Sequence, residues 1–200
     1  MRARVAVLAS GRGSNLEAIL AHAERMGELS ACEVTLVASN RVESPALATA
    51  RGRGIPAEHI ADPANGAAML EMLDVNSIDI VVLAGYLKLL PAEVTKLYKD
   101  RIVNVHPAPL PRFGGPGMYG LRVHDAVIGA GLKETEVTVH FVDEEYDSGD
   151  VIARWPVPVY EGDTCELLAE RVLKVEHVMF PRVLDMVACL APARLAAGRQ

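Results

Sequence analysis

The feature that most constrains this chain is a rhythm of short apolar runs alternating with longer amphipathic stretches. "VAVLA" at 5–9, "VTLVAS" at 34–39, "VVLA" at 81–84 and "IVNV" at 102–105 carry Val, Ile and Leu with little polar alternation. A strand of that kind buries both of its faces, as strands of a parallel sheet between two helical layers do. Strands are expected over 4–9, 33–39, 80–84 and 101–105, with a weaker one over 56–60. Helices are expected over 15–25, 45–53, 66–73, 91–98 and 122–130. The order is that of an α/β protein with a Rossmann-like open, mostly parallel twisted sheet and helices on both faces. After Gly131 the rhythm changes. Two strands, 135–143 and 150–159, flank the acidic turn "DEEYDSGD", and a helix follows. The fold class is completed by this C-terminal β-hairpin plus helix extension. Asp163 and Glu166 are placed to form a capping box at the start of that last helix, and Pro181 is expected to kink or interrupt it.

Composition narrows the function classes. The formal net charge is −6 over 200 residues, which argues against a general nucleic-acid or anionic-membrane binder. No apolar run approaches the length needed to span a bilayer. The N-terminal "MRARVAVLAS" has too short an apolar core for a signal peptide and is expected to open the first strand. Cys32, Cys165 and Cys189 are odd in number and scattered, so neither a disulfide framework nor a zinc site is expected, and a cytoplasmic location fits.

"SGRGSNLEAI" spans the first expected strand-to-helix junction. Gly11 and Gly13 allow a tight turn that exposes N–H groups at a helix start, an arrangement that favours phosphate. Ser14 and Glu17 have the spacing of a capping box. The dinucleotide pattern requires a small residue where Leu16 stands, and the Gly-Lys-Ser/Thr of an ATP loop is absent. A compact monophosphate fits best. Arg41, after the second strand, keeps an NADP-binding oxidoreductase as a remote alternative.

"NVHPAPLP" ends the strand over 101–105 and then stiffens it with Pro107, Pro109 and Pro111. Asn104 and His106 are two apart at the carboxyl edge of a parallel strand, where doubly wound sheets hold their ligands. An asparagine amide and a protonated histidine together can hold a developing oxyanion. Thr138 and His140 share one face of a later strand, and a buried His140 needs a partner. Of the acids in the following turn, Asp147, beside Ser148-Gly149, is best placed to reach a histidine. A carboxylate there would raise the histidine's pKa and favour the imidazolium. The turn lacks a calcium-loop pattern, and His22, His59, His124 and His177 form no ligand spacing, so no metal is expected.

"GRGSNL", "VVLAGYLKLL" at 81–90, "IVNVHPAPLP" at 102–111 and "VTVHFVDEEYDSGDVI" at 137–152 occur in one order. Together they closely resemble the phosphoribosylglycinamide formyltransferases, folate-dependent enzymes of purine biosynthesis, from Val5 to about Phe180. The resemblance implies transfer of a formyl group from 10-formyltetrahydrofolate, as co-substrate, to the amino group of glycinamide ribonucleotide. It implies Asn104, His106 and Asp147 as the catalytic trio, supported by Thr138 and His140. It assigns Gly13, Ser14 and Asn15 to the ribonucleotide phosphate and Glu176 to the ribonucleotide. Leu87, Lys88, Leu89 and Leu90, with Asn104, are assigned to folate. One formyltransferase domain over 1–200 is expected: a phosphate-binding Rossmann-like half, 1–105, and a remainder, 106–200, that completes the catalytic and folate site.

Lys88 stands where that family usually has arginine, and Ala108-Pro109 where it usually has Ser-Leu. "RFGGPGMYGLRVHDA" is several residues longer than expected after Leu110-Pro111. No basic residue lies near "DPANG" to hold a polyglutamate tail. Formyltetrahydrofolate hydrolase is the alternative that shares the trio; its extra N-terminal domain is not expected, since the first strand begins almost at Met1. Methionyl-tRNA formyltransferase, which generally lacks this phosphate loop and carries a C-terminal RNA-binding domain, is disfavoured, since this chain is acidic and ends soon after the last expected helix. The sequence leaves monomer and homodimer equally open.

Overall fold

Val5, Val7, Ile80 and Val82 face one layer of helices, and Ala6, Leu8, Val81 and Leu83 face the other. All eight are buried, which is why their strands carry no polar alternation. In the computed structural model, which describes residues 2–197 and side chains as far as Leu190, they belong to β1 (Ala3–Leu8) and β4 (Ile80–Leu83). These two pair in parallel at the centre of a seven-stranded sheet. Outward from β1 lie β2 (Cys32–Ser39) and β3 (Ala57–His59). Outward from β4 lie β5 (Ile102–His106), β6 (Glu134–Phe141) and β7 (Val151–Pro158). The first five strands are parallel, whereas β6 pairs antiparallel with β5 and β7 antiparallel with β6. The expected mostly parallel sheet with a C-terminal hairpin is what forms.

Helices α1 (Ser14–Met26), α2 (Pro45–Gly52), α5 (Leu121–Gly129) and α6 (Cys165–Ala197) pack on one face. The other face is covered by α3 (Gly66–Val75) and α4 (Ala92–Leu97). Because β1 leads to β2 on one side while β4 lies on the other, the sheet opens a crevice at their carboxyl ends. The two loops there are tied together: Ser10 N–H donates to the carbonyl of Gly85 at 3.0 Å.

Three local expectations are corrected. Ser14 is the first helical residue of α1, so it does not cap it; Gly13 does, at φ 82°, with no side-chain hydrogen bond. A Cβ on Gly13 would also lie 3.0 Å from that of Ala46, so α2 packs where a side chain would go. At α6 the cap is Thr164, whose hydroxyl accepts the N–H of Leu167 at 3.3 Å. Asp163 is instead held by the guanidinium of Arg171, through contacts of 2.6 and 2.8 Å. Pro181 does not interrupt α6, which continues to Ala197. One backbone hydrogen bond is lost there, and burial of Phe180, Val183 and Leu184 around it keeps the helix going.

Candidate active site

Asn104 and His106 end β5, and antiparallel pairing with β6 sets His140 opposite Asn104 and Thr138 opposite His106. Two strands thus deliver four polar side chains to one spot by register alone. The turn after β6 then returns Asp147 over them. Its Oδ1 lies 3.6 Å from His106 Nδ1, 3.6 Å from His140 Nε2 and 3.5 Å from the Asn104 amide nitrogen. Asp147 adopts φ 56°, a left-handed conformation that side-chain-bearing residues take sparingly and that concentrates at functional sites.

The hydrogen bonds assign the tautomers. His140 Nδ1–H donates to the carbonyl of Phe141 at 2.7 Å, and in the neutral ring its Nε2 accepts from the Asn104 amide at 3.0 Å. His106 Nε2–H donates to the carbonyl of Phe113 at 2.8 Å, which turns Nδ1 toward Asp147. Thr138 is fully buried behind them and donates to the carbonyl of Ala108 at 2.9 Å.

Burial would raise the pKa of Asp147. His140, His106 and the N–H of Gly115 outweigh it, so the carboxyl titrates below its ordinary 3.8. For His106 the balance goes the other way. The ring is 4% exposed, and burial outweighs the pull of Asp147 and of the Phe113 carbonyl, leaving its pKa below 6.5. Burial thus works against the expected imidazolium at His106, which the Asp147 carboxylate favours.

Asn104, His106 and Asp147 line a cavity of about 460 Å³ that reaches Arg12 and Asn15 at the start of α1 and Glu176 on α6. Asn15 donates to Glu176 at 2.7 Å, and burial, against that bond, raises the Glu176 pKa.

Residues 3–184 match the sequence model of a family described as formyl transferase. The chain belongs to the formyl transferase family. Among individual relatives, it is 40% identical over 190 residues to the Vigna unguiculata protein named phosphoribosylglycinamide formyltransferase, chloroplastic, a match covering 92% of this chain. The chain spans 60% of the length of that relative. A glycinamide ribonucleotide transformylase 1 structure from Symbiobacterium toebii superposes with TM-score 0.84 at 37% identity, over 94% of this chain and 88% of that one. A phosphoribosylglycinamide formyltransferase structure from Brucella melitensis gives TM-score 0.83 at 40% identity, over 94% and 96%. The likeness to phosphoribosylglycinamide formyltransferases carried by the four motifs thus extends along almost the whole chain.

Around this cavity, the remaining expected residues divide. Asn15 is a wall of the cavity, whereas Gly13 and Ser14 are not; Arg12, not among the expected residues, is. Of the expected folate segment only Leu87 lines it. Lys88 and Leu89 point to solvent, and Leu90 is buried with α3 and α4 in the opposite core. The largest omission is the stretch 115–121 with His124, all cavity walls; the extra loop length was its one sequence signal. Burial pushes the His124 pKa down to about 4, with the charge of His106 adding to the effect. Among the described residues no helix is long and apolar enough to cross a membrane.

Proposed function

We propose that this chain transfers the formyl group of 10-formyltetrahydrofolate to the amino group of glycinamide ribonucleotide, in cytoplasmic purine biosynthesis. The observation that carries the reading is the meeting of Asn104, His106 and Asp147 in one cavity with the start of α1. The backbone N–H groups of Gly13, Ser14 and Asn15 take the ribonucleotide phosphate, with the Arg12 charge beside them. Glu176 takes ribonucleotide hydroxyls, and Leu87 with its neighbours takes folate.

The amine attacks the formyl carbon in its neutral form, so its nitrogen becomes positive as the formyl oxygen becomes negative. The Asn104 amide, only loosely engaged with Asp147 at 3.5 Å, has an N–H to turn toward that oxygen. His106 Nδ1 accepts the proton the amine releases, and the Asp147 carboxylate stabilises the imidazolium that forms; Nδ1–H then also faces the oxyanion. The proton returns to the folate nitrogen as its bond to the formyl carbon breaks. Formylated ribonucleotide and tetrahydrofolate leave, and no net proton is gained or lost by the protein.

The test is folate absorbance in the presence of 10-formyltetrahydrofolate, with and without glycinamide ribonucleotide. Turnover that requires the ribonucleotide is expected. Equal turnover without it would make the protein a hydrolase, and no turnover by folded protein would overturn the reading.

A further inference from the structure

We propose that residues 113–115 form a backbone clasp that sets the tautomer of His106 and the orientation of Asp147, with Gly114 as its positioning residue. The proposal rests on the formyl-transfer reading of the same site and gives the lengthened loop a task. A carbonyl only accepts, so the 2.8 Å contact of His106 Nε2 with Phe113 O requires the proton on Nε2. In the neutral ring Nδ1 is then the bare nitrogen, and it is the one facing Asp147 Oδ1 at 3.6 Å. Two residues on, the Gly115 N–H donates to the other carboxylate oxygen, Oδ2, at 2.9 Å. That bond fixes which oxygen of Asp147 is presented to Asn104, His106 and His140.

Gly114 stands between these two contacts with no room for a side chain. A Cβ there would lie 2.5 Å from Leu110 Cδ2 and 2.8 Å from Asp147 Cβ. Leu110 is 5% exposed and cannot swing into solvent. Asp147 is met at its Cβ, which moves only with its backbone, and that backbone is already in the left-handed region at φ 56°. Gly115 is at φ 94°, where side chains are disfavoured, so both glycines are needed for the clasp to close.

Two measurements test this. Nitrogen-15 NMR of the imidazole rings reads the tautomer of wild-type His106 at pH 7.5 without any substrate, and so is independent of which reaction the protein performs. The Nε2–H form is expected, and a dominant Nδ1–H form would overturn the clasp. Steady-state kinetics of Gly114→Ala then read its consequence. Loss of kcat on the order of 10²-fold per folded site is expected, with both KM values within roughly twofold of wild type, and with the His106 tautomers mixed. A residue that merely supported the loop would lower Tm and leave kcat and the tautomer alone; that result overturns the proposal. Should wild type turn over no glycinamide ribonucleotide while His106 is Nε2–H, the formyl-transfer reading falls and the clasp stands.

Discussion

Asn15 donates its amide N–H to the Glu176 carboxylate at 2.7 Å, joining the first turn of α1 to α6. Glu176 is 8% exposed, an environment that disfavours its charge. Its folded pKa is raised by burial, against the Asn15 bond, above the ordinary 4.5. Below 4.5 the carboxyl is neutral folded and unfolded, so charge costs nothing; as pH rises through the folded pKa, ionisation destabilises the native state. Glu176→Gln keeps an acceptor for Asn15 and removes the charge. It should raise Tm at pH 7.5 and leave it unchanged at pH 4, while KM for the ribonucleotide rises about tenfold. Thermal unfolding at both pH values and steady-state kinetics check it.

His106 supplies a prediction of opposite sign to that of a standing imidazolium. Its pKa lies below 6.5 because burial outweighs Asp147, and the neutral ring is the form that takes the amine's proton. The rate should therefore be flat near pH 7 to 8 and fall on acidification through a pKa below 6.5. A rate that falls as pH rises past 7 would show that the imidazolium is the active resting form. The pH profile of kcat/KM decides between them.

His124, a buried wall of the cavity, titrates near 4. Between 6.5 and about 4 the unfolded chain binds a proton that the folded chain refuses, so stability falls with pH across that window. The loss has an upper bound of about 3 kcal/mol. Urea unfolding of wild type and His124→Gln at pH 7 and pH 5 should show the shallower pH dependence in the variant.

Asn104 contributes one amide to two contacts, 3.0 Å to His140 and 3.5 Å to Asp147. Asn104→Ala removes the proposed oxyanion donor, and kcat should fall on the order of 10²–10³-fold. Folate binding measured by fluorescence quenching should change far less, since the cavity walls are otherwise intact.

The strand order and the site differ in how far residues alone reveal them. Continuous Val/Ile/Leu runs betray β1, β4 and β5, because burial on both faces leaves no polar position. Asn104 and His106 are legible for the opposite reason, as polar residues closing such a run. Asp147 follows from proximity in a turn that must double back onto His140. The hold of Phe113 and Gly115 on His106 and Asp147 uses backbone groups, which every residue carries, so no residue type announces it. The pull of burial on His106 is not legible either, because a sequence shows the carboxylate partner but not the depth of burial. Nor do residue types announce how the "GYLKLL" segment divides, with Lys88 and Leu89 exposed and Leu90 in the α3–α4 core.

The most direct measurement is the rate of formylated ribonucleotide formation by wild type and by Asp147→Asn, at saturating substrates and pH 7.5. Asparagine retains an acceptor for Gly115 N–H but loses the charge that stabilises His106 as it takes the proton. The proposed chemistry predicts ribonucleotide-dependent turnover by wild type and a fall in kcat on the order of 10³-fold or more in the variant. Turnover by Asp147→Asn at the wild-type rate, or no formylated ribonucleotide from wild type, would contradict it.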